Sequence, residues 1–103
     1  MDSPRKRVAH TQIALETVLP VPFPLTVKWR KMDGFGESDV REDKEGKRRA
    51  IITLRTGMCA DLAVETFIHE YAHLLAWDYY GRQADAVWGI AYHEVYQAVY
   101  GDH

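Results

Sequence analysis

Apolar positions follow three different rhythms along the chain. After Ser3 and Pro4, which suit a helix start, Val8, Ile13, Leu15 and Val18 with Ala9 and Ala14 predict an amphipathic helix of about three turns. It stops near Leu19, because Pro20, Pro22 and Pro24 alternate with Val21 and Phe23 and hold the backbone extended. The period then falls to two. Leu25, Val27 and Trp29 alternate with Thr26, Lys28 and Arg30, as in a half-buried strand, and Asp33-Gly34 with Gly36 nearby marks a turn. Residues 37–49 are too polar for a core and predict a solvent-exposed hairpin turning at Glu45-Gly46. Ala50 to Leu54, carrying the β-branched Ile51, Ile52 and Thr53, is the strongest strand and should pair with its neighbours in a small sheet.

From Ala60 to Asp78 the period becomes helical. Val64, Phe67, Ile68, Tyr71, Leu74 and Leu75 make a broad apolar stripe, and Leu62, Ala63, Ala72, Ala76 and Trp77 leave little polar surface elsewhere. This helix is expected to be buried nearly all round, with Cys59 or Asp61 at its start. Tyr79 to Gln83 predicts the following turn, with Gly81 ending the helix. A last helix runs from about Ala84 to Tyr100, and its stripe of Trp88, Tyr92, Val95 and Val99 should pack back as a core face. The pattern as a whole is an α+β fold, a single domain over residues 1–103, with an N-terminal helix and small sheet covering one side of two C-terminal helices.

Composition narrows the function classes. With 47% hydrophobic and 12% aromatic residues in 103, the chain can build one compact core and has no room for an appended recognition module. A net charge of −2 gives no support to nucleic-acid binding, and the basic runs Arg5-Lys6-Arg7 and Lys47-Arg48-Arg49 read as a solvated terminus and loop. The lone Cys59 excludes an internal disulfide and Cys-rich zinc sites, and fits a reducing compartment. The N-terminal stretch has no continuous signal-peptide core and nothing approaches a membrane span, so a cytoplasmic protein with no membrane partner is expected. Oligomeric state is not encoded in any of these features.

The chemistry concentrates in His69-Glu70-Tyr71-Ala72-His73, an HExxH motif. On a helix, His69 and His73 stand one turn apart on a single face and can bind one ion, zinc by preference. Glu70 sits one position round, where its carboxylate reaches a water on the metal rather than the metal itself, the place of a general base. In a helix buried all round, two unpaired imidazoles and a carboxylate would each carry a desolvation cost, which a shared cation removes. A tyrosine from Tyr71, Tyr79, Tyr80 or Tyr92 is available to steady an oxyanion.

An HExxH helix, a glycine turn and a following helix with a WGxxY sequence, here Trp88-Gly89-Ile90-Ala91-Tyr92, resemble the minimal zincin metallopeptidases, including the SprT-like group and small HExxH proteins of phage and prophage genomes. The resemblance covers roughly the second half of the chain. It implies that His69 and His73 ligate zinc, that Glu70 is the catalytic base, and that the substrate is an extended peptide or protein segment laid along a sheet edge. By that analogy the strand near Ile51 to Arg55 forms the upper rim of the cleft. The chain departs from the SprT-like pattern at Ala84, where a third histidine ligand usually stands, and it has no Cys-based zinc ribbon, so a DNA-linked role is not implied.

Asp85, His93, Glu94 and Asp78 remain as third-ligand candidates. Asp85 ranks first, one turn before Trp88 on the face turned to the HExxH helix; its other reading is an N-cap of the last helix. Glu94 falls about 180° from Asp85 and His93 about 80°. The rival to a zinc peptidase is a non-catalytic, zinc-stabilised binding module of phage type, in which the metal serves as a staple.

Overall fold

The computed structural model describes residues 3–78 and 81–101. Helix α1 covers Pro4–Val18, strands β1, β2 and β3 cover Leu25–Arg30, Gly36–Glu42 and Arg48–Arg55, and helices α2 and α3 cover Ala60–Leu75 and Gly81–Tyr100. The α+β class and the small three-stranded sheet agree with the sequence pattern.

The sheet order is β1-β3-β2, with β1 parallel and β2 antiparallel to the central β3. Its rows follow from the period-two pattern. Leu25, Ala50 and Val40 form one row, Val27, Ile52 and Ser38 the next, and Trp29, Leu54 and Gly36 the third, all on the face turned to the helices. The opposite face carries Lys28, Arg30, Glu37, Asp39 and Arg41 in solvent. All three helices therefore lie on one side of the sheet. α2 is the hub and packs against α1, α3, β2 and β3 through the fully buried Val64, Phe67, Ile68, Tyr71 and Leu74. The Tyr71 hydroxyl donates to the Leu19 carbonyl at 2.7 Å, pinning the segment after α1 to the hub.

Start signals behave as their chemistry dictates. Ser3 caps α1, its Oγ accepting from Lys6 N–H, and Pro4 occupies the first helical turn. Gly46, with φ of +83°, turns the β2–β3 hairpin in a conformation that side-chain-bearing residues rarely adopt. Gly36 matters for space instead. A Cβ there would meet Thr66 Cγ2 at 2.8 Å, so the start of β2 lies directly against α2.

Several expectations are corrected. In α1, Ile13 is 65% and Val18 61% exposed, because the line turned inward runs through Val8 and Leu15. α2 ends at Leu75 with Ala76 as its cap, and Gly81 begins α3 rather than closing α2. Tyr79 and Tyr80 lie outside the described residues. The α3 stripe does pack on the core as expected, with Val95 and Ala91 inside it and Trp88, Tyr92 and Val99 half-buried against it. No helix of the described residues is long and apolar enough to cross a membrane.

Candidate metal centre

α2 carries His69, Glu70 and His73 where three elements meet: α2 itself, the outer edge of β2, and the N-terminal half of α3. A cleft of about 620 Å³ opens there, lined by Gly36, Glu37 and Ser38 of β2, by His69, Glu70 and His73, by Ala76 and Trp77, and by Asp85 and Trp88 of α3. His69, Glu70, His73 and the first-ranked third-ligand candidate Asp85 all line this one cleft.

The two imidazoles approach with Nε2 to Nε2 at 3.2 Å. Two histidine nitrogens at 2.0–2.1 Å from a tetrahedral zinc stand about 3.3 Å apart, so the pair has the separation of ligands sharing one ion. Without an ion, the same distance suits one ring donating its N–H to the other. Both histidines are solvent-exposed on the cleft floor, which corrects the expectation that the motif is buried all round. The apolar positions next to them point inward, whereas the face bearing the histidines opens between β2 and α3 and is only partly covered. His73 nevertheless keeps a pKa below the ordinary value, chiefly because part of its ring is withdrawn from water, with Glu70 opposing and His69 reinforcing the shift. A neutral imidazole is the form that can donate its lone pair to a metal.

Trp88 supplies much of that cover. Its ring centroid lies 5.2 Å from both imidazoles, nearly stacked on His73 and edge-on to His69. Tyr92 stacks on Trp88 at 5.2 Å and reaches within 6.2 Å of His69. Trp88 and Tyr92 thus pack against the core and border the histidine rings as well. The buried indole N–H of Trp88 has no acceptor among the described residues, an orphaned donor beside the histidine pair where a further acceptor fits.

Glu70, only 8% exposed, accepts a hydrogen bond from Ser38 Oγ at 3.0 Å. Ser38 follows from the sheet register: it faces α2 in the same row as Ile52. Sequence reasoning missed it because residues 37–49 read as an exposed polar hairpin. The rim is likewise reassigned. β3 is the central strand, so β2, not the strand near Ile51 to Arg55, borders the cleft.

The third-ligand candidates separate by position. Asp78 is engaged by Arg48, whose guanidinium donates to both carboxylate oxygens at 2.9 and 3.2 Å. His93 and Glu94 are exposed and do not line the cleft. Asp85 does line it, and because α3 begins at Gly81 it lies in the second turn and is not an N-cap. Among the described residues no group of three or more His, Cys, Asp or Glu side chains stands close enough to hold a metal ion. Tyr71, fully buried and bonded to Leu19, is removed from the oxyanion candidates, and among the described residues Tyr92 is the tyrosine at the cleft. Comparison of the chain with protein-family models, curated proteins and solved structures returned no match.

Proposed function

We propose that the chain is a zinc-dependent metallopeptidase of the minimal HExxH zincin kind, resembling SprT-like and small phage-encoded peptidases and working in the cytoplasm. The observation that carries this reading is the His69–His73 pair at ligand separation with a carboxylate on the same helix facing the same cleft. His69 and His73 would hold the ion, and Asp85, which lines the same cleft without standing at ligand distance, is the α3 residue proposed to close on them. A zinc ion held there would supply Lewis-acid chemistry for activating a water.

The remaining steps belong to the chain's own groups. β2 is an edge strand, and among the described residues no strand pairs with its outer side, so an extended peptide can add to it with main-chain hydrogen bonds. Its scissile carbonyl then lies over the histidine pair. Glu70, oriented by Ser38, takes the proton of the attacking water and passes it to the leaving amine. Tyr92 reaches the same space and can donate to the developing oxyanion; burial raises its pKa, which keeps the phenol protonated.

The exposure of both histidines favours catalysis over a staple, since a structural zinc site is closed by protein on every side. The test is Glu70→Gln, which keeps the Ser38 hydrogen bond. Zinc content should stay at about one per chain while peptide cleavage is lost, because binding and proton transfer rest on different residues. Loss of zinc in this variant, or undiminished cleavage, would refute the role assigned to Glu70.

A further inference from the structure

The cleft does not end at His69. It continues into a second hollow of about 360 Å³ that shares Gly36, His69 and Glu70 with the first and adds Phe35, Glu65, Thr66 and Tyr92. Glu65, His69 and His73 are spaced by four on α2, so Glu65 follows the line of the histidines and lies about 6 Å from His69 along the helix axis. That is the reach of about two residues of extended peptide. Gly36 and Thr66 lie side by side in its lining, so close that a Cβ on Gly36 would meet Thr66 Cγ2 at 2.8 Å.

Its walls have a particular chemistry. Phe35 is 54% exposed and Tyr92 is half-buried, so two aromatic surfaces border the half-buried Glu65 carboxylate. No cation of the described residues pairs with Glu65. The acids lining the two hollows are Glu37, Glu65, Glu70 and Asp85, and neither hollow has a lysine or arginine among its described lining residues. Glu37 is already matched by Arg30 at 2.7 Å, Glu70 accepts from Ser38 Oγ, and Asp85 lines only the first hollow. Of the two acids in the second hollow, Glu70 is engaged by Ser38, which leaves Glu65 to meet a substrate there.

Resting on the peptidase reading, we infer that this hollow is a side-chain subsite for lysine or arginine within about two positions of the scissile bond. The alkyl stem lies on Phe35 and Tyr92, and the cationic head meets Glu65 beside the aromatic faces. Both parts of the side chain are used, which separates a basic residue from a purely apolar one and from an acidic one.

Binding tests the subsite separately from hydrolysis. The probes are blocked pentapeptides of four alanines with a central arginine, norleucine or glutamate, titrated into the full Glu70→Gln chain. The arginine peptide should bind roughly tenfold tighter than the glutamate peptide, and added salt should narrow the gap. Glu65→Gln should erase the preference of arginine over norleucine, and Glu65→Lys should turn it toward glutamate. Equal binding of the three peptides, a norleucine preference, or an arginine preference that Glu65→Gln leaves intact would overturn the subsite. Cleavage of a random peptide mixture by the wild-type chain, mapped by mass spectrometry, separates the two readings. Selective binding without any cleavage removes the peptidase and leaves the subsite standing; cleavage with no basic residue enriched near the cut removes the subsite and leaves the peptidase.

Discussion

A carboxylate almost withdrawn from water needs a partner, and Glu70 has Ser38 Oγ at 3.0 Å. Ser38→Ala removes the donor and leaves the carboxylate where it is, so unfolding free energy should fall by about 1 to 3 kcal/mol. Ser38→Thr keeps a hydroxyl at the same place and should recover most of the loss. Denaturant titrations of the two variants check this, and equal stability of all three proteins would show that the contact contributes nothing. Tyr71 gives a second residue-scale expectation that does not depend on function. Burial, and then the charge of Glu16, raise its pKa to about 12, against a smaller lowering by a backbone hydrogen bond at Val21. The folded state therefore favours the protonated phenol. That stability is fully present below the unfolded value near pH 10 and is lost as pH climbs through about 12, in total about 2 to 3 kcal/mol. Tyr71→Phe should be weaker than wild type at pH 8 by about 1 kcal/mol, for the hydrogen bond to Leu19, and should lose less between pH 10 and 12. Parallel stability–pH curves for the two proteins would contradict the buried-phenol argument.

Among the elements, the contact between β2 and α2 decides whether Ser38 and Glu70 meet at all. Gly36 lies two residues before Ser38 on the same face, and its missing side chain lets the strand rest on Thr66. Gly36→Ala should cost about 1 to 3 kcal/mol by overpacking. Thr66→Ser removes the Cγ2 atom in the way and keeps the hydroxyl that donates to the Leu62 carbonyl, so the double variant should recover part of the loss. A double-mutant cycle measures this, and strict additivity would mean that the strand–helix approach is not what Gly36 protects. This contact also marks how far the sequence could be read. Period-two alternation in Leu25–Arg30 and the β-branched run at Ile51–Thr53 were legible because each is dictated by burial of one strand at a time. The HExxH face was legible because four-residue spacing needs only a helix. Ser38, Glu65 and Phe35 were not, since their roles depend on which strand ends at the sheet edge and on the rows that register creates. Trp88 and Tyr92 do pack against the core, but their contact with the imidazoles was not legible, because an aromatic stripe has one spacing whether it meets aliphatic side chains or imidazoles.

At the scale of the molecule, the decisive property is that the proposed metal centre lies on the surface of a core that is complete without it. α2 buries its apolar face against α1, β3 and α3, and Phe67, Ile68, Tyr71 and Leu74 are fully enclosed, whereas His69 and His73 stand in the open cleft. Removing zinc from such a site leaves both histidines in solvent, and the buried Glu70 carboxylate keeps its hydrogen bond from Ser38. The chelated chain should therefore remain folded and melt cooperatively, unlike a zinc finger, whose fold requires its metal. Zinc should add stability only by mass action, about 2.7 kcal/mol when free zinc stands at a hundred times its dissociation constant. His69→Ala and His73→Ala should abolish that increment while leaving the chelated melting temperature nearly unchanged. Asp85→Asn should shrink the increment if Asp85 joins the pair, since an amide is a weaker ligand than a carboxylate and the substitution, well inside α3, leaves the helix start untouched. Thermal melts of the four proteins over a zinc series read all of these at once. A chelated chain that is unfolded would identify the metal as a staple and favour the non-catalytic binding module. A folded chain whose melting temperature ignores zinc would remove the metal centre altogether, and an increment unchanged in Asp85→Asn would remove Asp85 from it.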